Sequence, residues 1–207
     1  ADASLGRAHA ELLTELRLNA DRPEAQLALG NVHAAGGDAA GASAAYRRAL
    51  AIDPDFVEAS VNLSESLRQA GDEAGAEATL RAAIERDPGA AAAHHALGLA
   101  LVRQGRREEA LAALARAAGL APGTARFAWV QAVALHDAGR IDEAFETVQA
   151  ALDIHPRDRD LLVAAASWAR DAGREALRTE YLRRIREFDP GDRALQDFVR
   201  SLQTNGG

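Results

Sequence analysis

Residues 57–90 read VEASVNLSESLRQAGDEAGAEATLRAAIERDPGA, and residues 91–124 read AAAHHALGLALVRQGRREEALAALARAAGLAPGT. Laid one above the other, they place Gly71 over Gly105 and Pro88 over Pro122, with a spacing of 34 residues. Working outward in both directions, Pro54, Pro156 and Pro190 keep that interval, and so do Gly37, Gly139 and Gly173. Two punctuating residues held at one period five times over are internal repetition, which has to be recognised before any other feature is interpreted. The units run 23–56, 57–90, 91–124, 125–158 and 159–192, with 22 residues before them and 15 after. The 207 residues are therefore read as a single array.

Within each unit the Gly separates two stretches of about 14 residues whose apolar positions recur at three- and four-residue spacing, the period of an α-helix. The Gly supplies the left-handed conformation that ends the first helix. The Pro follows the second helix, where it cannot continue the hydrogen-bond ladder. Asp53, Asp87 and Asp189 precede three of these prolines and suit a turn. Each unit thus reads helix A, tight turn, helix B, stiff turn.

Small residues hold fixed columns: Gly30, Ser64, Gly98, Ala132 and Ala166 in helix A, then Ala42, Ala76, Ala110 and Ala144, and Ala49, Ala83, Ala117 and Ala151, in helix B. Such positions let helix axes approach closely. Leu29, Leu63 and Leu97, with Tyr46, Leu80, Leu114, Val148 and Leu182, fill the space between them. One unit buries too little to offset its chain entropy, so stability is expected to come from stacked neighbours.

This pattern of small, Gly, Ala, aliphatic or aromatic, and Pro columns resembles the tetratricopeptide repeat (TPR) family. The resemblance covers residues 23–192 and is tightest in the first three units. Unit four departs from it at Gln131, and unit five at Arg178 and Ile185, where Trp168, Tyr181 and Phe188 point to a different plug. Residues 193–203, with Leu195, Phe198, Val199 and Leu202 on one face, resemble a capping helix. Extending the period backwards puts Ala8, Leu12 and Leu16 in helix-B columns, so residues 5–22 read as helix B of a partial repeat, or as an N-terminal cap. The expected fold is all-α: an α-solenoid, a right-handed superhelix of antiparallel helix pairs. A chain that begins at Ala1 and has no Met is expected to be part of a longer protein, or one whose leader has been removed.

Composition narrows the chemistry. Of the 207 residues 24 are cationic and 31 acidic, and every cation is Arg. Without Lys there is no Walker A loop, Schiff base or kinase strand lysine. Without Cys there is no disulfide, thiolate nucleophile or Cys-ligated metal, and a thiol-free chain suits the bacterial cytoplasm and periplasm alike. A net charge of −7 argues against nucleic acid as a partner. No apolar run reaches the length of a membrane helix, so membrane insertion is not expected. Arg in place of Lys, with heavy Ala usage, suggests a GC-rich bacterial genome.

The resemblance implies a concave groove lined by the A helices, which takes an extended peptide or a partner helix. The slots facing it include Asn31, Asn62, Glu65, Arg68, His95, Leu99, Val102, Arg103, Arg126, Trp129, Val133, His136, Ser167 and Arg170. Asn31 and Asn62 stand where family members hold a ligand backbone with an amide, which offers a donor and an acceptor together; they are also common consensus residues. Leu27, Ala92 and Ala96 occupy the slots of the family's carboxylate clamp, so chaperone-tail binding is not expected. His95, Leu99, Val102, Trp129 and Val133 would form an apolar strip rimmed by Arg103, Arg126 and Arg170, residue types enriched at interface hot spots. A Trp on helix A serves equally for core filling, but Leu135, Val148 and Leu152 already occupy those columns in unit four.

Chemistry of other kinds finds little support. His33 and His94 fall in core columns, His155 precedes Pro156, and His9 lies on the orphan helix. His95 and His136 are offset by about 10 Å along the helix direction, too far to share one metal ion. No nucleophile, base and oxyanion site assembles in the sequence, and no cofactor is implied. The first expectation is a protein or peptide scaffold, not an enzyme. The second is a structural spacer or a weakly self-associating module appended to an upstream domain, catalytic or otherwise, with the N-terminal helix as the contact.

Overall fold

A 34-residue period with a Gly and a Pro in each unit demands helices of fixed length, and the computed structural model shows them. It describes residues 19–188, together with Thr14, Arg193, Asp197 and Arg200. The described residues form ten α-helices and no strand: α1 Pro23–Ala35, α2 Ala39–Ile52, α3 Val57–Gln69, α4 Glu73–Arg86, α5 Ala91–Arg103, α6 Arg107–Leu120, α7 Ala125–Asp137, α8 Ile141–Ile154, α9 Arg159–Asp171 and α10 Glu175–Phe188. Odd-numbered helices are the expected A helices and even-numbered ones the B helices. The half repeat read over 5–22 and the terminal helix read over 193–203 lie outside the described residues, apart from the isolated positions named and the turn before α1.

The turns close as the residue types require. Gly37, Gly71, Gly105, Gly139 and Gly173 all have φ between 64° and 83°, and no other residue type takes a positive φ among the described residues. A side chain at Gly71 (φ 83°) would meet open space, so backbone conformation alone keeps Gly there. Past the turn, Asp38 and Asp72 cap α2 and α4 by accepting from Gly41 N at 2.9 Å and Gly75 N at 2.8 Å. Before the prolines, Asp53 accepts from Asp55 N at 3.0 Å and Asp87 from Gly89 N at 2.8 Å, the local turn expected of these residues.

The chain divides into two compact units between Leu120 and Ala121. In the first, α1 pairs with α2, α3 with α4 and α5 with α6, each pair packs on the next, and neighbouring A helices touch. Tyr46 (2% exposed) joins Ala42, Leu63, Leu67 and Ala76 in one cluster, and Leu80 joins Leu97, Leu101, Ala110 and Ala113 in another. In the second unit α7 pairs with α8 and α9 with α10, around a cluster that includes Ala132, Phe145, Val148, Leu152, Leu161, Leu162 and Ala166. Its far end is filled by Tyr181, Leu182 and Ile185, with Trp168 and Leu177 partly buried against them. Of the plug residues expected in unit five, Tyr181 is buried and Trp168 partly buried, while the Phe188 side chain lies outside the described set. Every small-column and large-column residue named above in the five repeats is buried.

Candidate functional site

Helix spacing sets what the A helices display in the first unit. On α5, Ala92, His95, Ala96, Leu99 and Arg103 recur at three- and four-residue intervals and so share one face. On α3, Asn62 and Glu65 do the same. Between these faces lies a hollow of about 330 Å³, with Ala76 and Leu80 of α4 contributing to its lining. Ala76, Ala92, Ala96 and Ala100 make the room, because larger side chains at these positions would fill it. Of the sequence-based candidates, Asn62, Glu65, His95, Leu99 and Arg103 line this one hollow. Val102 stands outside its lining, 47% exposed.

The two asparagines are joined. Asn31 Oδ1 accepts from Tyr46 Oη at 2.8 Å and from Asn62 Nδ2 at 3.0 Å, so one amide oxygen links α1, α2 and α3. Burial raises the Tyr46 pKa, and a hydrogen bond to Asn62 works against that. Asn31 is exposed and Asn62 half-buried. Glu65 accepts from Arg68 Nε at 2.7 Å, from Arg68 Nη2 and from Gln69 Nε2 at 2.9 Å. The Arg68 hydrogen bonds, with help from Gln69 and the nearby Arg103 charge, hold its pKa below the ordinary carboxylate value despite some desolvation.

In the second unit, Arg126, Trp129, Val133 and His136 lie along α7. The Arg126 guanidinium sits 5.6 Å from the centre of the Trp129 ring, within cation–π range. Trp129 is half-buried against the core cluster, so it serves both as cover for the core and as part of the surface. Val133 is likewise half-buried. His136 stacks on Trp168 of α9 with ring centres 4.5 Å apart and planes 11° apart. Arg170 is held by its neighbour Asp171, with contacts of 2.7 and 2.8 Å.

Sequence reasoning assigned Trp168 to the plug and missed its stacking on His136. The two lie 32 residues apart, close to one period, which is the signal that could have found the pair. It also missed the Tyr46–Asn31–Asn62 link. His33 and His94 are half-buried, with Nδ1 of His33 2.9 Å from Asp38 Oδ2 and Nε2 of His94 3.2 Å from the Pro88 carbonyl. Among the described residues, no three His, Cys, Asp or Glu side chains gather as a metal site, and no helix is long and apolar enough to cross a membrane.

Two profiles described as tetratricopeptide repeat match this chain, one over residues 4–55 and 95–159, more than half of it, and the other over 34–97. The chain belongs to the tetratricopeptide repeat family. Its TPR fold is shared with solved structures of low identity. PilW, a widely conserved type IV pilus biogenesis factor, is 21% identical, with 93% of this chain and 90% of that chain covered and a TM-score of 0.72. YrrB, described as a TPR protein with an unusual peptide-binding site, is 18% identical over 92% and 97%, with a TM-score of 0.60. MamA is 23% identical over 84% and 94%, with a TM-score of 0.62. No curated protein matches the sequence. TPR membership supports a protein-interaction scaffold.

Proposed function

We propose that this TPR protein is a binding scaffold, not an enzyme, and that its first unit holds an extended peptide segment in the hollow between α3 and α5. The observation that carries the reading is the hollow itself. It is of ligand-pocket size, lined mainly by Ala, Leu and Val, and has a few polar groups, Asn62, Glu65, His95 and Arg103, at its walls. The Asn62 amide in its wall suits a peptide backbone, because an amide offers a donor and an acceptor and reads no particular side chain. In the second unit, Arg126, Trp129, Val133, His136 and Arg170 offer a further contact surface of the same kind, with Arg126 over Trp129 as its anchor.

Peptides selected on the folded chain from a phage-displayed random 12-mer library are expected to bind with Kd in the micromolar range, about −8 kcal/mol, because an extended ligand loses its freedom on binding. Ala92 is exposed on the rim of the hollow, so Ala92→Trp fills the hollow without entering the core. That variant should keep its circular-dichroism spectrum and weaken the selected peptides by about tenfold or more, roughly 1.4 kcal/mol. Selection of no peptide, or of peptides indifferent to Ala92→Trp, overturns the reading.

A further inference from the structure

The hollow is not electrically neutral in what it offers a ligand. Its lining holds one acidic and one basic side chain, Glu65 and Arg103. Glu65 accepts three hydrogen bonds from Arg68 and Gln69 within α3, whereas Arg103 acts on it only through its charge. Arg68 also feels Glu73, which completes a local balance away from α5. Arg103, exposed at the last turn of α5, donates no hydrogen bond to any described residue, and its long side chain is available at the mouth.

Geometry sets the spacing of a complement. The α5 residues lining the hollow run from Ala92 to Arg103, a rise of about 16 Å at 1.5 Å per residue, which an extended segment of about five residues spans. An apolar side chain seated at the level of Ala96 and Leu99 lies about 6–10 Å along the axis from Arg103. In an extended chain, side chains two positions apart point to the same side and are separated by about 7 Å. We infer that the hollow selects a segment carrying a large apolar residue and, two positions away, an Asp or Glu whose side-chain carboxylate pairs with Arg103. This preference rests on the peptide-groove reading above and goes beyond it by naming the ligand's chemistry.

The test uses the same library of random 12-mers, panned on the whole chain and, in parallel, on Arg103→Glu. Wild type should enrich a large apolar residue and an acid separated by one residue, in either chain direction. Arg103→Glu should exchange the acid for Lys or Arg at the same spacing, and should bind the wild-type peptides about tenfold more weakly. Arg103 is exposed, so the charge reversal leaves the fold intact, and circular dichroism checks this. Peptides that Ala92→Trp abolishes, but that carry no acid at that spacing, use a chain-terminal carboxylate instead, or ignore Arg103→Glu, overturn this inference while the groove reading stands. No enrichment, or binding untouched by Ala92→Trp, overturns both.

Discussion

A single hydrogen atom separates the repeats at one column. A Cβ built at Gly30 would lie 2.3 Å from Tyr46 Cε1 and 2.5 Å from Cδ1, inside any real contact distance. Tyr46 is 2% exposed and its hydroxyl is tied to Asn31, so the ring has little freedom to tilt. The other repeats pair residues differently at the same two columns: Ser64 with Leu80, Ala132 with Val148 and Ala166 with Leu182, while Gly98 faces Leu114. Gly30→Ala gains up to about 1 kcal/mol of helix propensity but overpacks this contact at a cost of about 1–3 kcal/mol. The expected net effect is a lower urea midpoint, restored in the double variant Gly30→Ala, Tyr46→Leu. A midpoint equal to or above wild type for the single variant would show that the ring moves freely. The column of small residues was legible from the period. That Tyr46 both fills it and holds Asn31 was not, because a hydrogen bond between residues 15 apart leaves no mark on apolar spacing.

At the scale of elements, successive B helices are also joined by charge. Arg106, directly before α6, reaches back to α4, where its Nη1 donates to both Glu77 carboxylate oxygens at 2.8 Å, and it also pairs with Glu109. Arg81 binds Glu77 as well, at 2.7 Å. Burial of Glu77 pushes its pKa up, but the hydrogen bonds from Arg81 and Arg106 outweigh that and leave it below the ordinary value. A carboxylate lowered on folding stabilises the folded chain above its unfolded pKa of about 4.3, and that contribution fades as pH falls through the lowered folded value. Glu77→Gln should therefore cost about 1 kcal/mol at pH 7 and progressively less as pH falls through the lowered folded value. Urea unfolding over a descending pH series checks this, and a constant difference would place the effect in shape instead of charge. The helices themselves followed closely from Gly and Pro spacing, since each of those residues acts on its own backbone. The clasp did not, because Arg106 and Glu77 sit in different repeats and each has charged neighbours in sequence that could equally have paired with it.

The whole molecule inherits its construction from the period. If each repeat contacts only its neighbours, removing residues 57–90 joins Phe56 to Ala91 with helices still in phase, and α2 meets α5 as it met α3. That deletion should keep the helical signal per residue and melt at a lower temperature. Removing 57–72, one helix and its turn, breaks the alternation of A and B faces and should lose cooperative melting. Calorimetry on both decides; equal damage from the two would mean that the repeats are not interchangeable in the way the period implies. Of the candidate surface, Asn62, Glu65, His95, Leu99 and Arg103 were legible one by one from helical spacing, and they line one hollow that Asn31, Arg68 and Val102 do not line; their grouping there, and not in the strip expected from His95 to Val133, was not legible. The hollow's volume was not legible, since it depends on alanines that look like ordinary helix formers in sequence. One detail of the turns bears on how the repeats can be exchanged. After the turn glycine stands Asp38 or Asp72 early in the chain, but Arg106, Arg140 and Arg174 later. The aspartates close their own helix, whereas Arg106 grips Glu77 and Arg174 grips Asp142 and covers the Phe145 ring at 4.5 Å, each in the preceding repeat. Repeats three and five thus each carry an arginine fitted to the repeat before it, and transplanting either without that neighbour would forfeit the grip.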